Sequence, residues 1–278
     1  MIMQLISAMS RPCVWLRGLA VPTVLILTMA LSVPALADTI SQRFSPPTGF
    51  VRAPAPADSF ATWLRRAPLK PAASLVKYFN GKVKPNNVYV AVLDFDVGKR
   101  DLQQCADAVI RLRAEYLYSR KQFDRISFDL TNGFAVPWAR WQRGERVSVQ
   151  GNQTAWHKGA EPSNNYAEFR RYLDFVFTYA GTLSLARSLH PTPLRDLAPG
   201  DVFVVGGSPG HAVIVADVAQ NPAGKKVFLL VQSYMPAQDM QVLRNPDNPA
   251  LSPWYSAEFS GQLRTPEWTF TDAQLKRW

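Results

Sequence analysis

Apolar residues recur at three- and four-residue spacing in two stretches of the chain. Leu102, Cys105, Val109, Leu112 and Tyr116 form one stripe. Tyr166, Phe169, Leu173, Val176, Phe177 and Ala180 form another. Such spacing lines one face of a helix. The first stripe predicts a helix from Asp101 to about Tyr118, with Asp101 as N-cap and Gln104 completing a capping box. The second predicts a helix capped by Asn165 or Ser163 and interrupted at Gly181, with a short continuation over 183–189. Phe60, Trp63 and Leu64 predict a shorter helix within 60–70 that stops at Pro68 and Pro71. Runs dense in β-branched residues predict strands over 88–96, 126–130, 201–205, 211–218 and 227–233. Asn221-Pro222-Ala223-Gly224 predicts a hairpin turn between the last two. Residues 138–149 and the proline-rich 236–264 are expected as loops, and 268–270 as a final short strand. Helices early and an antiparallel meander late predict an α+β fold.

The first 37 residues have a different pattern. Arg11 and Arg17 precede a nearly unbroken apolar run, Leu19 to Leu31, and Ala35-Leu36-Ala37 fits a small-x-small cleavage site. This predicts a secretory signal peptide over 1–37, removed before Asp38. Residues 38–58, rich in Pro and Ala, are expected as an extended lead-in, and 59–278 as a single α+β domain with an inserted helical region, 163–189. No later segment is long and apolar enough to span a bilayer. Export places the chain in the periplasm or outside the cell.

Composition changes this picture little. The hydrophobic share of 47% and aromatic share of 12% supply a core. The formal charge of +10 is spread without a basic run. That argues against nucleic acid as a partner and leaves an anionic envelope polymer such as peptidoglycan open. Cys13 lies in the leader, so Cys105 is the one thiol expected in the mature chain. A cysteine-rich zinc site is excluded by the count, and neither a metal nor another cofactor is expected.

The candidate chemistry follows from this scarcity. Cys105 lies near a helix start, where unpaired N–H groups and the macrodipole favour a thiolate. It also lies on the apolar stripe, where a thiol is an ordinary core residue. His211 opens a strand directly after Gly206-Gly207-Ser208-Pro209-Gly210, which suits a rigidly held general base as well as a packed strand-end histidine. His157 and His190 are expected in solvated loops. Gln232 ends the neighbouring strand and has an amide oxygen with which to orient the ring. Asp94 and Asp96 share a strand face, which fits a cation site or simply the end of a strand. Trp138/Trp141 and Trp254/Tyr255 are candidate aromatic contacts for a glycan or protein partner.

Two resemblances rest on these residues. The runs Asp94–Tyr118 and Gly200–Val215 resemble an exported bacterial family, the domain of unknown function 4846. Tyr172 with Gly181-Thr182, and the runs Gln232–Gln238, Ser252–Tyr255 and Thr265–Trp268, fit the same family. Pro199-Gly200-Asp201, a strand, then Gly210-His211-Ala212-Val213 resembles the histidine strand of papain-like cell-wall cysteine peptidases and amidases. That likeness implies a papain-like core in which a helix bearing Cys105 packs on a mostly antiparallel sheet carrying His211. It implies Cys105 as nucleophile, His211 as base and Gln232 as orienting residue. The usual Asp-Cys-Ser context is absent, and the stretch between Cys105 and His211 is long. The function expected is a cysteine hydrolase or acyltransferase acting on amide bonds of envelope material. The alternative is a non-catalytic domain on the same fold that binds envelope glycan or protein.

Overall fold

The computed structural model describes residues 38–259 and 261–278. The leader expected over 1–37, with Cys13, lies outside the described residues. The helices, in chain order, are α1 (Ile40–Arg43), α2 (Phe60–Arg65), α3 (Cys105–Ser119), α4 (Trp138–Trp141), α5 (Tyr166–Tyr179) and α6 (Thr182–Ser188). The strands begin with β1 (Val51–Arg52), β2 (Tyr89–Val92), β3 (Ser127–Asp129), β4 (Ala135–Pro137), β5 (Glu145–Gln150), β6 (Gln153–Lys158) and β7 (His190–Pro191). They continue with β8 (Val202–Val205), β9 (His211–Gln220), β10 (Lys226–Gln232), β11 (Gln241–Leu243) and β12 (Tyr255–Ser256). The last three are β13 (Leu263–Arg264), β14 (Thr269–Phe270) and β15 (Leu275–Arg277).

The large sheet runs β2-β11-β10-β9-β8-β15-β7, with β1 paired to β9 and β12 to β10. Every pairing in it is antiparallel. The fold is α+β, as the order of patterns predicted. Strands β9 and β10 are buried on both faces because each face has its own core. Ala212, Ile214 and Ala216 pack with Ala106, Val109 and Leu112 of α3. Val213 and Val215 pack on the other side with Phe203, Phe228, Tyr255 and Phe270. The small alanines on the helical side let α3 lie close to the sheet.

A bulge at Ala216 breaks the alternation: Val215 pairs with Leu230, and Asp217 with Leu229. One extra residue turns every later side chain to the opposite face. Asp217 therefore joins Ala219 on the helical side. There it is fully buried and accepts Arg65 Nε at 2.5 Å and Arg52 Nε at 2.7 Å. The Arg52 pair fastens segment 38–58 to the sheet, where β1 also pairs with the end of β9, and the Arg65 pair fastens α2.

Three local expectations are corrected. Helix α3 starts at Cys105 rather than just after Asp101; the Gln104 N–H donates to Asp107 at 3.0 Å across its first turn. Asp101 instead accepts Ala237 N–H at 2.7 Å and the Gln104 side chain at 3.0 Å. Residues 138–149 are not a loop but form α4 and most of β5, paired to β6 through residue 158. Segment 236–264 is not all loop: it contributes β11 to the large sheet, between the edge strand β2 and β10.

Helix α5 does begin after Asn165, whose side chain accepts Glu168 N–H at 2.8 Å. The turn at 221–224 closes with Gly224 N–H donating to Asn221 O at 2.9 Å. Among the described residues no helix is long and apolar enough to cross a membrane.

Candidate active site

A cleft of about 700 Å³ opens where α3 begins and β9 begins. Cys105, Asp107, Thr182, the 207–210 loop, His211, Tyr234 and Trp268 are among its lining residues. Cys105 and His211, far apart in sequence, thus border one cavity. No hydrogen bond joins their side chains among the described residues. The alternation of β9 sends His211 off on the side of Val213, while α3 lies on the side of Ala212. The two residues therefore border the cleft at the sheet end from opposite faces.

Cys105 is the first residue of α3 and is 8% exposed. The backbone N–H groups of Ala106, Ala212 and Cys105 itself favour the thiolate. The helix N-terminus favours a thiolate, but burial outweighs it. Burial, followed by the nearby Asp107, pushes the thiol up to about 11.

His211 is 1% exposed, and its Nε2 lies 2.8 Å from Gln232 Oε1. Burial pushes the imidazole down to about 4, against the hydrogen bond to Gln232, and the Lys84 charge pushes in the same direction as burial. The resting pair is therefore a neutral thiol beside a neutral imidazole. The ring sits among Tyr234, Trp268 and Phe270, with centroids at 4.9, 5.5 and 5.9 Å. The loop before His211 is held by Thr182, whose hydroxyl donates to Gly207 O at 3.0 Å. A Cβ on Gly210 would lie 2.5 Å from Thr182 Oγ1 and 2.4 Å from Gly207 O, so this position has to remain glycine.

Of the three residues singled out from sequence, His211 is bonded to Gln232 and shares a cleft with Cys105, and further residues join them. Gln232 Nε2 donates to Glu267 Oε2 at 2.6 Å, and Lys84 Nζ reaches the same oxygen at 2.7 Å. Asp107, the third residue of α3, is buried; desolvation pushes its carboxyl up to about 8, and its Oδ1 has no hydrogen-bond partner. Glu267 lies within the Thr265–Trp268 run that the sequence resemblance picked out, but nothing in its spacing pointed to Gln232. Lys84 and Asp107 gave no signal.

Other candidates fall away. Asp94 and Asp96 lie beyond the end of β2 and are exposed, and Asp96 Oδ1 accepts Gly98 N–H at 3.0 Å. No group of three or more His, Cys, Asp or Glu side chains able to hold a metal occurs among the described residues. Trp138, Trp141, Trp254 and Tyr255 are buried, so they are core residues and not binding aromatics. His157 and His190 are exposed.

Comparison with known proteins places the chain in a family. The sequence model of the family described as domain of unknown function (4846) matches residues 40–277. No curated protein and no solved structure matches the chain.

Proposed function

This chain belongs to the domain of unknown function 4846 family, and from that premise we propose that it is a cysteine hydrolase or acyltransferase with a papain-like site. Its substrate is an amide bond of cell-envelope material. The observation that carries this reading is that Cys105, at the start of α3, and His211, at the start of β9, line one cleft. It gives a helix-borne thiol and a histidine whose ring is held by Gln232 access to the same cavity.

The chemistry follows triad logic. The sulfur attacks the amide carbon while its proton passes to the imidazole nitrogen that does not face Gln232. A C–S bond forms, and the developing oxyanion takes the Cys105 backbone N–H as one donor. Collapse breaks the C–N bond, and the leaving nitrogen takes the proton back from the ring. Water, giving its proton to the same nitrogen, then hydrolyses the thioester, and that proton returns to sulfur. An amine in place of water makes the reaction a transfer. The neutral resting pair supports proton transfer during attack rather than a preformed ion pair.

Export through the leader expected over 1–37 gives envelope polymers as the substrate class, with peptide-bearing peptidoglycan first among them. Incubating purified peptidoglycan with the full chain tests this, with new amino ends and released fragments read by mass spectrometry. The wild type produces them and Cys105→Ala does not. Equal release by both proteins, or none by either, contradicts the reading.

A further inference from the structure

We infer that Glu267, held by Lys84, is a positioning residue that fixes the Gln232 amide and so determines which nitrogen of His211 is the base. The inference rests on the reading of His211 as base and adds to it a residue outside the reacting trio.

Three distances carry it. Gln232 Oε1 lies 2.8 Å from His211 Nε2, Gln232 Nε2 lies 2.6 Å from Glu267 Oε2, and Lys84 Nζ lies 2.7 Å from that same carboxylate oxygen. An amide side chain can present either end to a neighbour, and by itself it sets no tautomer. An ionised carboxylate only accepts. Glu267 therefore demands the NH₂ end of Gln232, and the carbonyl end is left for His211. A carbonyl oxygen also only accepts, so Nε2 has to carry the proton. The lone pair is left on Nδ1, the one ring nitrogen free to take a proton from the thiol.

Lys84 keeps this order in place. Its side chain is 3% exposed and that of Glu267 13%, so neither charge has water enough to be solvated alone. Each compensates the other. The ammonium also lies over the Tyr234 ring at 5.5 Å, and that ring packs edge-on against His211. Gln232 is in this way fixed from behind by an ion pair brought in by two segments remote from β10, residue 84 and residue 267. Gln232 is buried among groups that leave its amide no second arrangement with both ends paired.

The test reads the tautomer directly. Two-bond ¹H–¹⁵N spectra of the ¹⁵N-labelled full chain resolve its three histidines. At pH 7 wild-type His211 is a single Nε2–H tautomer. In Glu267→Gln a second amide replaces the acceptor-only group, and His211 becomes a mixture of tautomers, with His157 and His190 unchanged. Turnover of the envelope amide falls about tenfold or more, because the wrong tautomer cannot act as base. Glu267→Asp keeps an acceptor-only group and keeps the single tautomer.

A proton on Nδ1 in the wild type overturns the inference without any variant, as does an unchanged single Nε2–H tautomer in Glu267→Gln. The spectra do not depend on turnover. A wild type with the fixed tautomer but no amide cleavage refutes the hydrolase reading and leaves the positioning role standing.

Discussion

His211 Nε2 and Gln232 Oε1 are 2.8 Å apart on neighbouring strands, both almost wholly out of water. The bond is one side of a buried polar chain that continues to Glu267 and Lys84. Replacing Gln232 with Leu keeps the bulk and removes both contacts. A buried ring N–H and a buried carboxylate oxygen then each lose a partner. Each loss costs about 1–3 kcal/mol. Urea denaturation of Gln232→Leu is expected to give a midpoint lowered by a stability loss of at least about 2 kcal/mol.

Asp217 is the anchor of the N-terminal segment. Both of its oxygens receive arginines, Arg65 at 2.5 Å and Arg52 at 2.7 Å, with no exposure of its own side chain. Removing one member of a buried pair costs about 3–5 kcal/mol, since the remaining charge stays behind unpaired. Asp217→Ala is expected to lose that much in guanidinium unfolding. Proteolysis of the native variant is expected to begin within residues 38–58, which the wild type protects.

Much of this was legible in the sequence, and the limits have physical causes. Strands β8 to β10 announced themselves through β-branched runs, and the turn at 221–224 through its Asn-Pro and Gly. Helix α5 was visible from its stripe and from Asn165. Asp101 and Gln104 imitate a capping box, so the pattern sets the start of α3 three residues early, whereas Asp107 accepts the Gln104 N–H. The β5–β6 hairpin was missed because its alternation is masked by charged and aromatic residues that pair with each other. Arg140 lies over Trp156 at 4.4 Å and Arg146 over Trp141 at 4.4 Å.

The site was half visible. Cys105, His211 and Gln232 lie at element ends, which a pattern of strands and helices reveals. Glu267 and Lys84 come from irregular segments, so only the tertiary fold brings them to Gln232. The effect of burial was also hidden: the helix start pointed to a thiolate, and desolvation reverses the direction.

Asp107 makes stability depend on pH. Its folded-state value is pushed from 3.8 up to about 8 by burial. Between those limits the unfolded chain sheds a proton that the folded chain keeps, so this group weakens the fold as pH rises through the window. An asparagine at this position would accept the Gln104 N–H without titrating. The melting temperature of Asp107→Asn relative to wild type is therefore expected to climb steadily from pH 4 to pH 8. The gain amounts to more than about 1.4 kcal/mol, the equivalent of one pKa unit. His211, pushed down to about 4, has the opposite slope below pH 6.5, but both proteins share it and it cancels in the comparison. A difference that is flat with pH would mean Asp107 is ionised in the fold.

The proposed chemistry requires Cys105 to be a thiol that His211 deprotonates in the native cleft. Native-state alkylation by iodoacetamide at pH 7, mapped to the Cys105 peptide by mass spectrometry, measures this most directly. Cys105 is expected to react in the folded chain, and His211→Gln to slow the reaction about tenfold or more with circular dichroism unchanged. Labelling that needs denaturant, or that proceeds at the same rate in both proteins, would contradict it.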